Sequence, residues 1–416
     1  MLPFWLSCPS SYPRFFLCVA TLTAAALLGH FILTVTSPAQ EMRTGSRQLL
    51  DLSAESSFAN GYRDTDTFRL CLKENENAVS GSSLTADLCS SGKRVHIAIG
   101  IDNTGLEPIP TLLNSVDANH RNTPLAGCLD VHLVTMDVSS THPIFVALRE
   151  EALAARRWPA LRLHLLNFTY LQVANDVAKM PAIRPYRIGA ALHRNVNGGG
   201  APITRAASLR IWLPHLLPKS VGRVLYLDYD VIVDASLEGI FELPMRQDEG
   251  IAARSFPAEK GGGRAVVRGW LENAGVGDKF VYTGADRAFN SGVLLMNLVV
   301  LRCMNFSSTL GRWNELWGIN DQTALNLFFN GSYHELDRRY NTFIDSEDTE
   351  HVSPSFEPAI IHYKGAIKPW SRPDSWEAFI TSHTRRHSYA SLWPPCLFTS
   401  YGARRRRDTH RSQRCG

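Results

Sequence analysis

The sequence has little excess charge of either sign and no stripe of basic residues. It contains 43 Lys and Arg against 39 Asp and Glu, which gives a formal net charge of +4. The basic residues are scattered except for a run at residues 404–407, and such a run beside polar residues near a chain end predicts a solvated tail. We therefore expect no nucleic-acid partner.

Motifs for zinc and for dinucleotides are also missing. The cysteines are widely spaced without a C-x-x-C repeat, so a zinc site is not expected. One Gly-rich stretch, "NVNGGGAP" at residues 195–202, is predicted to be a connection. A second, "KGGGRAVVRGW" at residues 260–270, lacks the strand and helix of a dinucleotide fingerprint or P-loop, and we expect a mobile surface loop there.

The N-terminal part contains a long apolar stretch, "FFLCVATLTAAALLGHFILTV", without a formal charge. A membrane-spanning helix needs about 20 such residues. We predict a cytosolic tail at residues 1–14, a transmembrane anchor at 15–36 and a polar, flexible stem at 37–92. A cleavable signal peptide is the alternative, although its apolar region is usually only about 7–15 residues long.

If everything after the anchor lies in a lumen, N-glycosylation and disulfide formation both become possible. The sequence has N-glycosylation sequons at Asn167, Asn305 and Asn330. It also has an even number of cysteines after the anchor, which allows disulfides in an oxidising compartment but does not reveal their pairing. These cysteines are Cys71, Cys89, Cys128, Cys303, Cys396 and Cys415.

Residues 93–395 are predicted to form one α/β domain, followed by a basic tail at 396–416. "RVHIAIGID" begins a strand that ends at Asp102, and "EPIPTLLNSV" continues with helical spacing. "CLDVHLVTMDV" and "LRLHLLNFTYL" have the pattern of further strands. Strands that alternate with helices predict a mostly parallel, doubly wound sheet.

Two carboxylates follow an unbroken apolar run in "RVLYLDYD". Such a run predicts a strand that is covered on both faces. Because side chains alternate along a strand, Asp228 and Asp230 are expected to point the same way and to share one divalent cation. The alternative is that Asp228 begins a turn and that Asp230 is solvated.

Arg210 lies in a helical pattern, "SLRIWLPHLLP", but off its apolar face. It could point toward the ligand crevice at the carboxyl ends of the strands. The alternative is an ordinary solvated arginine on the polar side. Pro214 is expected to kink or end this helix.

Amide and carboxylate side chains stand at the start of two other elements. In "FNSG", Asn290 could bond sugar hydroxyls and Gly292 would let a ligand approach the backbone, although a turn before a strand is an equally good interpretation. "NDQTALNLFF" predicts a helix that is capped by Asn320 or Asp321. The remaining pair, Asp321 and Gln322, is suited to gripping the hydroxyls of a polyol.

The stretch "IIHYKGAIKPW" leads from an apolar strand to His362 and then to Lys368. With the two aspartates, this imidazole would complete an O/O/N ligand set, which suits Mn²⁺ better than Mg²⁺. Lys368, held beside a proline and a tryptophan, could neutralise a phosphate.

These motifs, in this order, resemble glycosyltransferase family 8. The resemblance covers residues 94–376 and rests on the strand that ends at Asp102, "SLRIWLPHLLPKSVGRVLYLDYD", "FNSG", "NDQ" and "HYKGAIKPW". The family includes bacterial lipooligosaccharide galactosyltransferases, glycogenins and plant galacturonosyltransferase-like proteins. The resemblance implies a Rossmann-like GT-A fold and a retaining, Mn²⁺-dependent transfer from a UDP-sugar to a glycan or other hydroxyl acceptor.

The resemblance also implies a role for each residue that matches a family motif. The metal ligands would be Asp228, Asp230 and His362. The nucleotide and its diphosphate would be contacted by Gly100, Asp102, Gly365 and Lys368. The donor sugar would be surrounded by Arg210, Asn290, Asp321 and Gln322. Thr104 stands at a further nucleotide-contacting position, where the bacterial members commonly have an amide.

Two other functions compete with this expectation. A haloacid-dehalogenase-type phosphohydrolase also places a nucleophilic Asp after a strand, but "GDKFVYT" at residues 277–283 lacks the second downstream acid. A non-catalytic lumenal scaffold could keep the fold without turnover, although every expected metal and diphosphate position is filled. The expected location is the Golgi membrane in a single-pass type II orientation.

Overall fold

The structure is a computed structural model that describes residues 66–74, 89, 92, 94–154, 157–168, 205–256, 262–273, 275–278, 280, 282–284, 287–317, 319–343 and 356–364. Backbone contacts divide the chain into Met1–Asp51 and Leu52–Gly416, and all described residues belong to the second unit. The predicted anchor and the basic C-terminal tail lie outside the described residues. Within them, no helix has the length and apolar character that crossing a bilayer requires.

The centre of the fold is a seven-stranded sheet with the order β3-β2-β1-β4-β7-β6-β8. Strand β7 runs antiparallel to both of its neighbours, whereas the other pairs are parallel. The prediction of an α/β fold with a mostly parallel sheet is therefore confirmed. The strands of the protein are β1 (Val95–Ile101), β2 (Leu129–Met136), β3 (Leu161–Phe168), β4 (Arg223–Leu227), β5 (Val231–Val233), β6 (Ile251–Ser255), β7 (Phe289–Asn297), β8 (His334–Glu335), β9 (Thr342–Phe343) and β10 (Ile360–His362).

Helices cover both faces of this sheet. The α-helices are α1 (Asp66–Glu74), α2 (Ile109–His120), α3 (Pro143–Ala154), α4 (Leu209–Leu216), α5 (Glu238–Phe241), α6 (Gly262–Asn273), α7 (Leu298–Cys303), α8 (Phe306–Trp317) and α9 (Asp321–Phe329). Short 3-10 turns follow β1 (Asn103–Gly105), precede α4 (Arg205–Ser208) and precede β9 (Arg338–Asn341).

The apolar runs of the sequence are explained by burial on both faces of the strands. Every residue of β2 and β7 is buried, as expected for central strands of a sheet between two layers of helices. Ala98 and Tyr226 face the cluster that contains α4 and α9, whereas Ile97 and Leu225 face the opposite cluster with α2.

A smaller sheet with the order β5-β10-β9 extends the main sheet past the end of β4. Strand β10 pairs antiparallel with β5, so that His362 lies opposite Val231. On its other side, β10 pairs parallel with β9. This pairing brings a residue from the far C-terminal part of the domain next to the acid pair.

The prediction of a mobile loop at residues 260–270 is wrong, because helix α6 begins at Gly262. Val267 and Leu271, one turn apart, are buried in the same core as α9. Burial of this apolar face stabilises a helix despite the high glycine content. Pro214 lies inside α4, which ends two residues later at Leu216.

Two disulfides close long loops of the chain. Cys71 of α1 is bonded to Cys303 of α7, and Cys89 is bonded to Cys128. Four of the six cysteines after the apolar stretch are therefore paired in two bonds, and the remaining two lie outside the described residues.

Candidate active site

Asp228 and Asp230 lie in the turn between β4 and β5, immediately past the end of the strand at Leu227. Their convergence is therefore not produced by the alternation of a strand, as the sequence analysis assumed. Two backbone hydrogen bonds hold the turn: Asp228 N donates to Gly292 O over 2.8 Å, and Tyr363 N donates to Asp230 O over 2.9 Å. Each acid is thus fixed to a different neighbouring strand.

His362 completes a compact group with the two acids. One ligand atom from each of Asp228, Asp230 and His362 lies within 4.8 Å of the others. Nε2 of His362 is 3.3 Å from Oδ1 of Asp230, and both side chains are almost fully buried. The predicted O/O/N set is therefore assembled in one place.

Gly292 makes room for this group. A Cβ atom at this position would clash with Cε1 of His362 and would lie 2.8 Å from Oδ2 of Asp228. Any side chain would push the imidazole or the carboxylate away. The absence of a side chain at Gly292 therefore makes room for the side chains of Asp228 and His362, whereas the predicted approach of a bound ligand to this glycine stays a prediction.

Arg210 lies beneath the acids and is only 4% exposed. Its Nη2 donates to Oδ1 of Asp228 over 2.8 Å, and its Nε is 3.0 Å from Oδ2 of Asp321. Its Nη1 donates to the backbone and hydroxyl oxygens of Ser291. Arg210 therefore points toward the crevice, and the alternative of a solvated arginine is wrong.

Tyr226 was not singled out by the sequence analysis, yet it contacts both partners of this ion pair. Its hydroxyl donates to Oδ1 of Asp228 over 2.8 Å, and the Arg210 guanidinium lies 4.6 Å from its ring centroid. Burial raises the pKa of the Tyr226 phenol well above its usual value. The available signal was a tyrosine in an otherwise aliphatic strand, two positions before an acid.

Asp321 and Gln322 form the first turn of α9, and Asn320 is the residue that caps it. Oδ1 of Asn320 accepts from the Thr323 N–H over 2.8 Å. Burial raises the pKa of Asp321, and the nearby Arg210 guanidinium opposes this shift. Asp321 is thus free of the capping role and is paired with Arg210.

An amide network connects α9 to strand β7. Oε1 of Gln322 accepts from Ser291 N over 3.1 Å, from the Ser291 hydroxyl over 3.3 Å and from Nδ2 of Asn290 over 3.3 Å. Asn326 clamps the same helix to the strand, because its side chain bonds both backbone polar groups of Phe289. The amide of Gln322 is therefore held in one orientation.

Asp102 and Thr104 lie at the carboxyl end of β1. Oδ1 of Asp102 accepts from the Thr104 N–H over 2.9 Å and from its hydroxyl over 2.6 Å, which caps the 3-10 turn Asn103–Gly105. Gly100 lets β1 approach helix α4 closely, since a Cβ at Gly100 would lie 3.1 Å from Cβ of Leu209. The structure thus gives these residues local structural roles.

Tyr229 joins this loop to the acid pair and was also missed by sequence reasoning. A Cβ at Gly105 would lie 3.0 Å from its ring. Burial raises the pKa of the Tyr229 phenol, and the carboxylates of Asp230, Asp228 and Asp102 raise it further. The β1 loop and the acid pair therefore border one crevice, at the carboxyl ends of β1 and β4.

The donor atoms of this crevice suit a divalent cation. Oδ1 of Asp228 is occupied by Arg210 and Tyr226, whereas Oδ2 faces the Gly292 side, where His362 lies. Two carboxylates and an imidazole are ligands of the kind that Mn²⁺ accepts. Gly365 and Lys368, the predicted diphosphate contacts, lie outside the described residues.

Comparison with known proteins gives concordant matches. Residues 193–374 match the family described as Glycosyl transferase family 8. The chain is 25% identical over 288 residues to glycosyltransferase GlyF of Streptococcus pneumoniae, covering 67% of this chain and 58% of that protein. It is 26% identical over 209 residues to glycosyltransferase 8 domain-containing protein 1 of Xenopus tropicalis, covering 44% and 56%. The chain thus spans less than two thirds of either relative.

Solved structures give a further match. The galactosyltransferase LgtC, in complex with donor and acceptor sugar analogs, is 21% identical, with a TM-score of 0.46, and the match covers 72% of this chain and 100% of that one.

The curated relatives that match in sequence are named glycosyltransferases, which are enzymes of the transferase class. More particularly, residues 193–374 are similar to glycosyltransferase family 8, as the motifs indicated.

Proposed function

We propose that the protein is a retaining, Mn²⁺-dependent glycosyltransferase of GT-A type, which moves a hexosyl or uronosyl group from a UDP-sugar to a hydroxyl of a glycan. One observation carries the proposal. Asp228, Asp230 and His362 converge at the carboxyl edge of the sheet, directly beside the amides of Asn290 and Gln322. A cation site and a set of sugar-binding groups thus adjoin each other.

The donor would be held by its diphosphate. Asp228, Asp230 and His362 would hold Mn²⁺, which when bound would supply Lewis-acid stabilisation of the leaving diphosphate. Lys368 of the "HYKGAIKPW" motif would neutralise a phosphate oxygen as a point charge. Arg210 neutralises Asp228 from below and fixes its orientation, so that the other carboxylate oxygen faces the crevice.

The sugar would be positioned by Asn290, Asp321 and Gln322. In the part of the chain that the structure describes, the hydrogen bonds of the Gln322 amide are all made by Oε1, and its donors are Asn290 and Ser291. An oxygen that already accepts three hydrogen bonds is a poor nucleophile, whereas the amino end of the same amide remains for sugar hydroxyls.

Retention would then follow from attack on the face from which UDP departs. The bond from the anomeric carbon to the phosphate oxygen breaks, and its electron pair leaves with UDP. The acceptor oxygen forms the new bond to the same carbon, and its proton passes to a phosphate oxygen of the departing UDP. The protein contributes positioning and charge stabilisation rather than a covalent intermediate.

The proposed setting is the Golgi lumen, with the chain held as a single-pass type II glycoprotein by the apolar stretch at residues 15–36. The two disulfides support an oxidising compartment. A microsomal fractionation of cells that express the chain, with protease protection and glycosidase digestion, tests this setting. Complete digestion of the domain in intact vesicles would contradict it.

The activity is tested by incubating the purified protein with a panel of UDP-sugars, without acceptor, in the presence of Mn²⁺ or a chelator. We expect Mn²⁺-dependent release of UDP from at least one sugar nucleotide. The Asp230→Ala variant should lose this activity, and its UDP affinity in Mn²⁺ should fall at least about 100-fold, since a direct ligand matters more than its supporting partners. Calorimetry that shows unchanged metal-dependent UDP affinity in the variant would remove the acid pair from the site.

A further inference from the structure

Asn341 links the imidazole of His362 to the amide network. It is fully buried at the end of the 3-10 turn Arg338–Asn341, one residue before β9, the strand that pairs with β10. Its Oδ1 lies 2.9 Å from Nδ1 of His362, and its Nδ2 donates to Oδ1 of Asn290 over 3.0 Å. No family motif of the sequence includes this residue.

We propose that Asn341 is a positioning residue that fixes the tautomer of His362, and thereby selects the nitrogen offered to the metal. This inference rests on the metal-dependent function proposed above. It follows from the direction of each hydrogen bond in a chain that runs from Gly292 through Asn290 and Asn341 to His362.

The first bond in the chain is anchored by the backbone. The Gly292 N–H donates over 2.9 Å to one side-chain atom of Asn290. A backbone N–H can only donate, so this atom must be the carbonyl oxygen Oδ1. The same oxygen faces Asn341, which must therefore present its amino group.

The second bond follows from the first. Since the amino group of Asn341 faces Asn290, its carbonyl oxygen faces His362. A carbonyl oxygen only accepts, so Nδ1 of His362 carries the proton. In a neutral imidazole the other nitrogen, Nε2, then has a free lone pair.

The far end of the network is anchored in the same way. Nδ2 of Asn290 donates to the atom of Gln322 that also accepts from the Ser291 N–H, which identifies that atom as Oε1. Backbone N–H groups thus fix the amide orientations at both ends. Reversal of one amide would set two donors or two acceptors against each other.

The selected nitrogen is the one that faces the acid pair. Nε2 of His362 lies 3.3 Å from Oδ1 of Asp230. With the proton on Nδ1, a lone pair and a carboxylate oxygen face each other, which is favourable when a cation lies between them. The imidazole packs edge-on beside the ring of Phe343, with the two centroids 6.2 Å apart and an angle of 67° between the ring planes.

The experiment compares wild type with Asn341→Leu, which removes both hydrogen bonds, and Asn341→Asp, which keeps an acceptor for Nδ1. Asn314→Leu is the matched control, because Asn314 is also a buried amide but bonds Ile319 O. Imidazole NMR of the metal-free protein, with the His362 signal identified by its loss in His362→Gln, reports the tautomer. Electron paramagnetic resonance with Mn²⁺ reports the metal affinity.

We expect the Nδ1–H tautomer in wild type, in Asn341→Asp and in Asn314→Leu, and a loss of this preference in Asn341→Leu. Mn²⁺ affinity should fall about 10–100-fold in Asn341→Leu, less in Asn341→Asp and not in the control. An Nε2–H tautomer in wild type overturns the inference, as does equal Mn²⁺ binding by wild type and Asn341→Leu. Should Asn341→Leu fail to fold, the inference is tested by the His362 tautomer in wild type and by the Mn²⁺ affinity of Asn341→Asp.

These readouts separate the two proposals. Absence of Mn²⁺ binding in wild type, together with the Nδ1–H tautomer, contradicts the proposed metal dependence and leaves the geometric assignment standing. Normal Mn²⁺ binding with an unaffected Asn341→Leu variant contradicts the role of Asn341 alone.

Discussion

The sheet carries two clusters of polar side chains, which differ in their charge: one consists of paired ions, and the other contains histidines whose pKa values are lowered. At the carboxyl end of β4, the guanidinium of Arg210 lies between Asp228 and Asp321, so that buried charges are paired. In the amino-terminal halves of β1, β2 and β3, the rings of His96, His132 and His164 follow one another across the strands. We call these three residues the histidine ladder.

In the histidine ladder, burial lowers the pKa values of His96 and His132. The centroids are 5.3 Å apart between His96 and His132 and 4.9 Å apart between His132 and His164. Burial, together with the two neighbouring histidines, lowers the pKa of His132 to about 4 against the opposing effect of Asp130. Asp130, the acid beside the ladder, pairs with Arg94 over 2.6 Å and with Nε2 of His164 over 3.0 Å.

The comparison shows that burial alone does not mark a functional site. Both clusters have buried, hydrogen-bonded members, but in the carboxyl-end cluster Arg210 pairs with one oxygen of Asp228 and leaves the other facing the crevice. The site is therefore expected to respond to removal of a charge, and the ladder to addition of a proton.

The largest effect, a loss of stability, is expected when the guanidinium of Arg210, which pairs with both Asp228 and Asp321, is removed. Arg210→Met leaves Asp228 and Asp321 without their buried partner, which should lower the free energy of unfolding by about 3–5 kcal/mol. Urea denaturation measures this loss. Arg268→Met, on the exposed side of α6, is the control and should change stability by less than about 0.5 kcal/mol.

A second variant sharpens the assignment of that loss. Adding Asp321→Asn to Arg210→Met removes one of the two stranded charges, so the double variant should be more stable than the sum of the single effects predicts. Strict additivity would show that Arg210 and Asp321 are not coupled.

A smaller effect is expected at Gln322. Gln322→Ala removes the group that holds Ser291 and Asn290, and we expect the turnover number for UDP-sugar hydrolysis to fall about 100-fold, with UDP affinity changed only a few-fold. Steady-state kinetics and calorimetry separate the two quantities. Gln247→Ala, at an exposed position, is the control, and an unchanged turnover in Gln322→Ala would reject the donor-sugar role.

The smallest effect is expected at the histidine ladder, and it depends on pH. The pKa of His132 is about 4 in the folded protein and about 6.5 in an unfolded chain. The unfolded state therefore takes up the proton first, and stability falls as pH falls from about 6.5 toward about 4. At pH 5 this residue should cost about 2 kcal/mol relative to pH 7.

The His132→Gln variant removes this titration. Its unfolding free energy should decrease less on acidification than that of wild type, although His96, whose pKa is also lowered by burial, leaves a residual slope. Urea denaturation at pH 7, 6 and 5 measures both slopes. Parallel curves for the two proteins would show that His132 does not cause the acid sensitivity.

The sequence predicted which residues come together in the candidate site, but not the backbone arrangement that brings them together. Asp228, Asp230 and His362 were found because their residue types suit a metal and because they follow apolar runs. The turn that joins the acids was not predicted, since it depends on backbone bonds to Gly292 and Tyr363 in distant strands. The local sequence pattern around the two acids does not reveal hydrogen bonds to residues so far away in the chain.

The supporting residues were missed for a related reason. Asn341 acts through neighbours that are remote in sequence, and no local pattern distinguishes it from an ordinary turn residue. Tyr226 had a weak local signal, but its position beside Arg210 depends on the packing of α4 against the sheet. Helix α6 was mispredicted because glycine content was weighed above the spacing of Val267 and Leu271, whose burial is a tertiary effect.

The bond between Cys71 and Cys303 encloses most of the described strands in one covalent ring of chain, with a sequence separation of 232 residues. A protease that makes a single cut anywhere inside this ring produces two fragments that still migrate as one species until a reductant is added. Integrity of the purified protein is therefore judged on reducing gels, since an unreduced band of full size does not distinguish intact molecules from nicked ones.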